Sequence, residues 1–406
     1  MTTPSPRPIG RVCVQWPRLG PYHLARLRAL HARLGAEGVA LTALETATVD
    51  TTYAWREEAG PTPYDRVCAL PGRSMAATSP VQTRRAVTSA LDRIDADAVA
   101  ITSYSTPDAH AALAWCRRRS RVAVLLFDSR AEDAERSPWR ERVKRTLVAQ
   151  YDAALVAGTP QAAYAVALGV PRRRVFTPLD VVDNAFFRDG AARERGRGGV
   201  GFLSVNRFTE RKNVGLLVEA YRRYRAAAEA PWPLVLVGDG PLRPALERAA
   251  GEGVTFAGFA QIEALPAHYG AAGAYVHPAR ADQWGLVVNE AMASGLPVLV
   301  SSGAGCARDL VREGENGFRF APDDPGALAD LLAHVASDRT DRDAMGQASQ
   351  SIIASYTPEA FADGLWNAVR AGRPGSGRPL SPAARAVLGA LAVAGRDHHA
   401  FHSVEA

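Results

Sequence analysis

The sequence predicts an α/β protein made of two Rossmann-like domains, each built on a parallel sheet. Three observations lead there. Short apolar runs alternate with helix-length amphipathic stretches from one end of the chain to the other, which is the pattern of repeated βα units. The chain has 406 residues, more than one hydrophobic core usually spans. The alternation breaks off once, at a Gly- and Arg-rich stretch, and then starts again.

In the first half the expected strands are Ile9–Gln15, Val39–Leu44, Ala98–Thr102, Val122–Phe127, Ala153–Val156 and Arg174–Thr177. Helical segments such as Leu24–Leu34 and Val81–Asp92 lie between them. Residues 188–199 read RDGAARERGRGG, have no apolar face, and are expected to be a linker. Strands then follow at Val200–Val205, Leu234–Val237, Val254–Phe256, Ala274–His277, Pro297–Val300 and Gly317–Phe320. A Gly- and Pro-rich stretch from Gly372 to Gly377 opens a tail. A short last helix starts at Ser381-Pro382, with Ser as N-cap and Pro in the first turn. The expected division is a first domain at 1–187, the linker at 188–199, a second domain at 200–371 and the tail at 372–406.

Composition narrows the class. The apolar fraction is 47% and the charged fraction 22%, ordinary for a globular protein in water. No stretch approaches the roughly 20 apolar residues that cross a bilayer. Met1–Pro8 lacks the apolar core of a signal peptide. The expectation is a cytoplasmic protein with no integral membrane segment. Cys13, Cys68, Cys116 and Cys306 form no CxxC pair and sit in or beside apolar segments, as buried free thiols do. The net charge is +6, with Arg runs at 117–119 and 172–174. An anionic partner and solvated helix ends are both readings of those runs. No nucleic-acid module accompanies them, so no nucleic-acid partner is expected.

The chemistry concentrates in the second half. Asn206-Arg207-Phe208-Thr209-Glu210-Arg211-Lys212 follows a strand and precedes an amphipathic helix, Val214–Tyr224. Ligands of open α/β sheets bind beyond the carboxyl ends of strands. Arg207 and Lys212 therefore leave the strand where a ligand sits, and two cations across a loop suit a diphosphate. An ordinary charged surface loop is the other reading. Further on, His277-Pro278-Ala279-Arg280-Ala281-Asp282-Gln283-Trp284-Gly285 links a strand to a helix that begins near Gly285 and stops at Ser294, with Gly295 as its left-handed cap. The free N–H groups of Gly285, Leu286 and Val287 suit phosphate oxygens. Asp282 lies before the helix and Glu290 about one turn inside it, and both are better placed for sugar hydroxyls than for phosphate.

These stretches, together with VGDGPLRPAL, VTFAGF and GCARDLVREGENGF, resemble the large retaining GT-B glycosyltransferase family whose members share an acidic–x7–Glu motif, family 4. The resemblance covers roughly Gly201 to Phe320, in the family's order. It implies two Rossmann-like domains with parallel sheets facing a central cleft. It implies a nucleotide-sugar donor, UDP- or GDP-linked, and a hydroxylated acceptor such as a natural product, glycan or lipid. It implies that Arg207 and Lys212 bind the donor diphosphate with the Gly285–Val287 helix start, that Glu290 binds the ribose, and that Asp282 contacts the transferred sugar. Asp282 stands where the family more often has Glu, which puts the donor-sugar preference in doubt. Gly238 and Gly240 are expected on a loop near the nucleotide. Retention with no obvious nucleophile implies attack from the face of the departing phosphate. No cofactor and no metal site are expected.

The first half resembles the family's acceptor domain in outline only. After the first strand, Gly20, Tyr22 and His23 are expected over the phosphates and acceptor. Asp128 follows a strand where many relatives have His and is expected to orient an acceptor hydroxyl or the anomeric region, and Ser103 follows another strand and is expected to line the acceptor pocket. His23 also reads as a hydrogen-bonding group of the helix start, and Asp128 as a strand-end cap. Asp95-Ala96-Asp97 matches a metal-binding DxD pattern but precedes a strand, on the wrong sheet edge for a ligand. His398, His399 and His402 are expected in solvent, Asp323-Asp324 in a turn before a helix, and Asp180–Asn184 in a structural hinge. A nucleotide-sugar epimerase of the same fold and an inactive nucleotide-sugar-binding subunit are the competing readings. A dehydrogenase is disfavoured because GDG lacks the last glycine of a dinucleotide fingerprint.

Overall fold

The computed structural model describes residues 8–49, 55–56, 60–196, 200–372 and 379–393. His398, His399 and His402 lie outside the described residues. The chain forms two compact units. One runs to Asp180 and takes the chain up again at Pro358, and the other runs from Val181 to Thr357.

The first unit holds seven strands: β1 (Arg11–Trp16), β2 (Ala40–Val49), β3 (Asp65–Ser74), β4 (Ala98–Thr102), β5 (Val122–Phe127), β6 (Ala153–Val156) and β7 (Val175–Phe176). Their order is β3-β2-β1-β4-β5-β6-β7, and every pair is parallel. Strands β5 and β6 are apolar throughout and fully buried, as a parallel sheet covered on both faces requires. Strand β3 was not among the expected strands. Its sequence, DRVCALPGRS, contains Pro71 and Gly72, which read as breakers. It survives because it is the edge strand, where a missing N–H costs no ladder bond.

The second unit holds β8 (Phe202–Val205), β9 (Leu234–Val237), β10 (Val254–Gly258), β11 (Ala274–His277), β12 (Val298–Ser301) and β13 (Gly317–Phe320). All six match expected strands, in the order β10-β9-β8-β11-β12-β13 and all parallel.

The expected linker differs. Helix Asn184–Glu194 runs through most of it, capped by Asp183, whose carboxylate accepts from the Phe186 N–H at 3.0 Å. Phe187 and Ala191 are buried, and Gly190 lets the helix touch Pro266, where a Cβ would stand 2.5 Å away. A glycine read as flexibility is a packing contact. The expected end of the second domain at residue 371 also shifts. Helix Pro358–Ala371 returns to the first unit and packs on helix Pro21–Gly35, burying Phe361, Leu365 and Val369 completely.

Both strand orders reverse once, at β1/β4 and at β8/β11. These switch points are where open α/β sheets form a ligand crevice at the strands' carboxyl ends. No helix among the described residues is long and apolar enough to cross a membrane.

Candidate active site

The second unit's crevice is built from the loops after β8 and β11. The β8 loop is pinned from below: Asn206 and Phe208 N–H groups donate to the Val237 and Asp239 carbonyls at 2.9 Å each. This explains Gly238 and Gly240. A Cβ on Gly238 would overlap the Asn206 carbonyl, and one on Gly240 would lie 2.6 Å from the Phe208 carbonyl oxygen. Both glycines act through the loop that carries Arg207, which is half-buried there.

Lys212 ends a short 3-10 turn, Glu210–Lys212, and its Nζ meets Asp282 Oδ2 at 2.6 Å. Asp282 arrives from the β11 loop, held by its N–H on the Gly303 carbonyl (3.2 Å) and by its own carbonyl accepting from Gly305 (2.9 Å). His277, fully buried at the end of β11, donates from Nε2 to the same Oδ2 at 3.0 Å. Burial pushes the Asp282 carboxyl up, but the Lys212 charge and the His277 bond outweigh it and hold the group well below the usual carboxylate range. Burial pushes His277 down, more than Asp282 draws it up, so the ring is neutral.

Helix Leu286–Ala293 opens at Gly285, which is its cap and not its first turn. Gly285 has φ +104°, a left-handed value, and its Cβ position lies 3.6 Å from Asp282 Oδ2. The helix start and the Lys212 ammonium therefore neighbour one carboxylate oxygen. Among the described residues, no acceptor meets the N–H groups of Gly285, Leu286 or Val287, while Val288 donates to the Gly285 carbonyl at 2.9 Å. Glu290 sits on the inner face of this helix. It is fully buried and accepts from the Tyr269 hydroxyl at 2.7 Å.

The first unit's crevice gathers Gly20, Tyr22 and His23 beside Trp16. Gly20 is extended, φ −122°, with its Cβ position 3.7 Å from His23 Nδ1, so neither backbone nor space demands glycine there. The Gly20 N–H donates to His23 Nδ1 at 3.0 Å, which leaves the ring proton on Nε2. Burial, then the nearby Arg26 charge, push the His23 pKa down to about 3. Tyr22 meets the Trp55 ring edge-on at 6.1 Å. Ser103 takes a left-handed φ of +72°, and its Oγ lies 3.1 Å from that of Ser105. Asp128 follows β5 and acts electrostatically on Arg26, a buried guanidinium paired with Asp180 at 3.3 Å. A buried network draws the strand ends together: Gln15 Nε2 and the Thr46 hydroxyl donate to Asp108 Oδ2 at 2.7 and 2.9 Å.

The DxD pattern is structural. Asp95 ends helix Pro80–Ile94 in a left-handed turn, and Asp97 accepts from the Gly10 and Arg11 N–H groups at 2.8 and 3.1 Å. Both also pair with Arg121. Asp324 caps helix Pro325–Ala336, accepting from the Ala327 N–H at 2.9 Å. Sequence reasoning passed over His277, Tyr269 and Arg26. His277 carried one signal, a histidine ending an apolar strand five residues before Asp282.

With this geometry in view, comparison with known proteins is direct. Residues 196–352 match the family described as Glycosyl transferases group 1. That stretch contains the whole second-unit crevice. The chain is 35% identical over 127 residues to sulfoquinovosyl transferase SQD2 of Arabidopsis thaliana, covering 30% of this chain and 25% of that protein. It is 29% identical over 208 residues to a GDP-mannose-dependent alpha-(1-6)-phosphatidylinositol monomannoside mannosyltransferase of Mycobacterium tuberculosis, covering 47% of this chain and 54% of that protein. The chain thus spans between a quarter and about half the length of these relatives. Sucrose-phosphate synthase of Thermosynechococcus elongatus superposes with a TM-score of 0.68 at 19% identity, covering 89% of this chain and 98% of that one. Anabaena HepE in complex with UDP gives 0.67 at 15% identity, covering 89% and 100%. The fold, two parallel-sheet α/β domains, is that of GT-B glycosyltransferases.

Proposed function

We propose that this chain is a retaining glycosyltransferase of family 4 type. It moves a hexose-type sugar from a UDP- or GDP-linked donor to a hydroxyl acceptor and needs no divalent metal. One observation carries the reading: at the β8/β11 switch point, Lys212 and the open helix start at Gly285 flank the same Asp282 oxygen.

The diphosphate takes Arg207, Lys212 and the N–H groups of Gly285, Leu286 and Val287. As the anomeric bond breaks, negative charge grows on the leaving phosphate. Fixed cations and aligned N–H donors stabilise it without reorganising, the role a metal ion fills elsewhere. Asp282 takes a hydroxyl of the sugar. Glu290 takes the ribose, with Tyr269 holding its other side. In the first unit, His23 offers its Nε2–H and Asp128 and Ser103 offer acceptors to the incoming hydroxyl compound, whether natural product, glycan or lipid.

The test is incubation with a panel of UDP- and GDP-sugars in EDTA, with and without hydroxyl acceptors, following free nucleoside diphosphate and the anomeric configuration of the product. Acceptor-dependent release with a retained anomer is the expected result. A changed sugar with no acceptor present makes it an epimerase, and no release from any donor makes it a binding subunit.

A further inference from the structure

We propose that His277 is a positioning residue that splits the Asp282 carboxylate into an anchored oxygen and an offered one; this rests on the reading of Asp282 as a donor-sugar contact. Three observations support it. Both protein donors, Lys212 Nζ at 2.6 Å and His277 Nε2 at 3.0 Å, fall on Oδ2. Among the described residues nothing bonds Oδ1, and the Asp282 side chain keeps 14% exposure. His277 itself is completely buried, and its Nδ1 has no hydrogen-bond partner.

The orphaned nitrogen is informative. Asp282 can only accept, so Nε2 carries the ring proton and Nδ1 is a bare lone pair in the interior. An unsatisfied buried acceptor is destabilising, and native structures carry few of them. An apolar side chain would fill the end of β11 without that penalty. What it would lack is the N–H that reaches Asp282.

The two anchors are not equivalent once a donor binds. A diphosphate beside Lys212 carries more negative charge than one carboxylate and draws the ammonium toward itself. His277 is neutral and walled in, so it has no competing ligand. It then remains the group that keeps Oδ2 fixed while Oδ1 faces the sugar. The short Asp side chain makes this anchoring tighter, because its carboxylate has one torsion fewer than that of Glu.

The test uses the full chain with His277→Phe, His277→Gln, Asp282→Ala and the His277→Phe/Asp282→Ala pair. Steady-state kinetics with the nucleotide sugar that wild type uses are read beside calorimetric binding of the matching nucleoside diphosphate alone. His277→Phe is expected to lower kcat/KM for the intact donor about tenfold or more, the size of one hydrogen bond to a charged group. Binding of UDP or GDP without sugar stays unchanged. His277→Gln recovers most of the loss, since its amide reaches where Nε2 was. The double variant is no worse than Asp282→Ala, because His277 acts only through Asp282. Wild-type kinetics in His277→Phe, an equal loss of diphosphate and donor binding, or additive losses in the pair would each overturn the assignment. Should His277→Phe not fold, His277→Asn replaces it: its amide stops short of Asp282, so activity equal to that of His277→Gln overturns the proposal. A wild type that neither binds nor turns over any nucleotide sugar strikes instead at the glycosyltransferase reading.

Discussion

Gly285 and His23 show how single residues set the chemistry of each crevice. Gly285 holds φ +104°, and a Cβ there would stand 3.3 Å from His277 Nε2. Gly285→Ala is expected to cost about 1–2 kcal/mol in urea unfolding, the strain of a left-handed residue that has a Cβ. It should also weaken nucleoside diphosphate binding, since the helix start turns on that residue. Unchanged stability and binding would contradict this. His23 is neutral in the fold, with a pKa of about 3 against 6.5 in the unfolded chain. Below 6.5 the unfolded chain takes up a proton that the folded chain refuses, so stability is full above that pH and falls as the pH drops toward 3. His23→Gln keeps an acceptor for the Gly20 N–H but does not titrate. It should unfold with a flatter acid limb than wild type, and identical limbs would argue against a neutral His23. At this scale Lys212, Asp282 and Gly285 could be singled out by type and spacing, and the fold brings the three together. His277 was not, because its partner is five residues away around a loop that only the fold closes. Gly238 and Gly240 were legible as special, and the fold adds the reason: each lies too close to the backbone of the β8 loop to carry a Cβ.

At the scale of elements, the strands of the second unit could be read directly: β8, β11 and β12 are short runs buried on both faces, and the edge strands β10 and β13 keep enough apolar residues to stand out although they are partly exposed. Strand β3 was hidden by Pro71 and Gly72, which an edge tolerates and a central strand does not. Helix Asn184–Glu194 was hidden by Gly190 and its arginines. It is stabilised by packing on helix Leu265–Gly270, which no local pattern announces. Residues 358–371 were expected to belong to the second domain, yet the helix Pro358–Ala371 packs on helix Pro21–Gly35 of the first unit. Phe361 is the centre of that contact, stacked 6.4 Å from Trp16 and lying under Arg26 at 5.9 Å. Phe361→Ala should cost about 3–5 kcal/mol, as large-to-small changes in a closed core do. Tryptophan fluorescence during urea unfolding reads it through Trp16. A loss below about 1 kcal/mol, the size of an ordinary surface change, would return the helix to the second unit.

The whole molecule holds two parallel sheets, each reversing order once and each placing polar residues at the carboxyl ends beside the reversal. The second unit holds the stretch that matches the family model, residues 196–352, and with it Lys212, Asp282 and the helix start at Gly285. The first unit shares its fold with distant structures, and the polar residues at its strand ends follow no spacing that names a chemistry. The claim on which the function depends is a pyrophosphate held by Arg207, Lys212 and the helix start. The most direct measurement is urea unfolding in EDTA with and without UDP and GDP, for wild type and the Arg207→Ala/Lys212→Ala variant. One nucleotide should stabilise wild type by about 2.7 kcal/mol at a hundredfold excess over its Kd, and at the same concentration the variant should gain almost nothing. Equal stabilisation of the two proteins would place the diphosphate somewhere else.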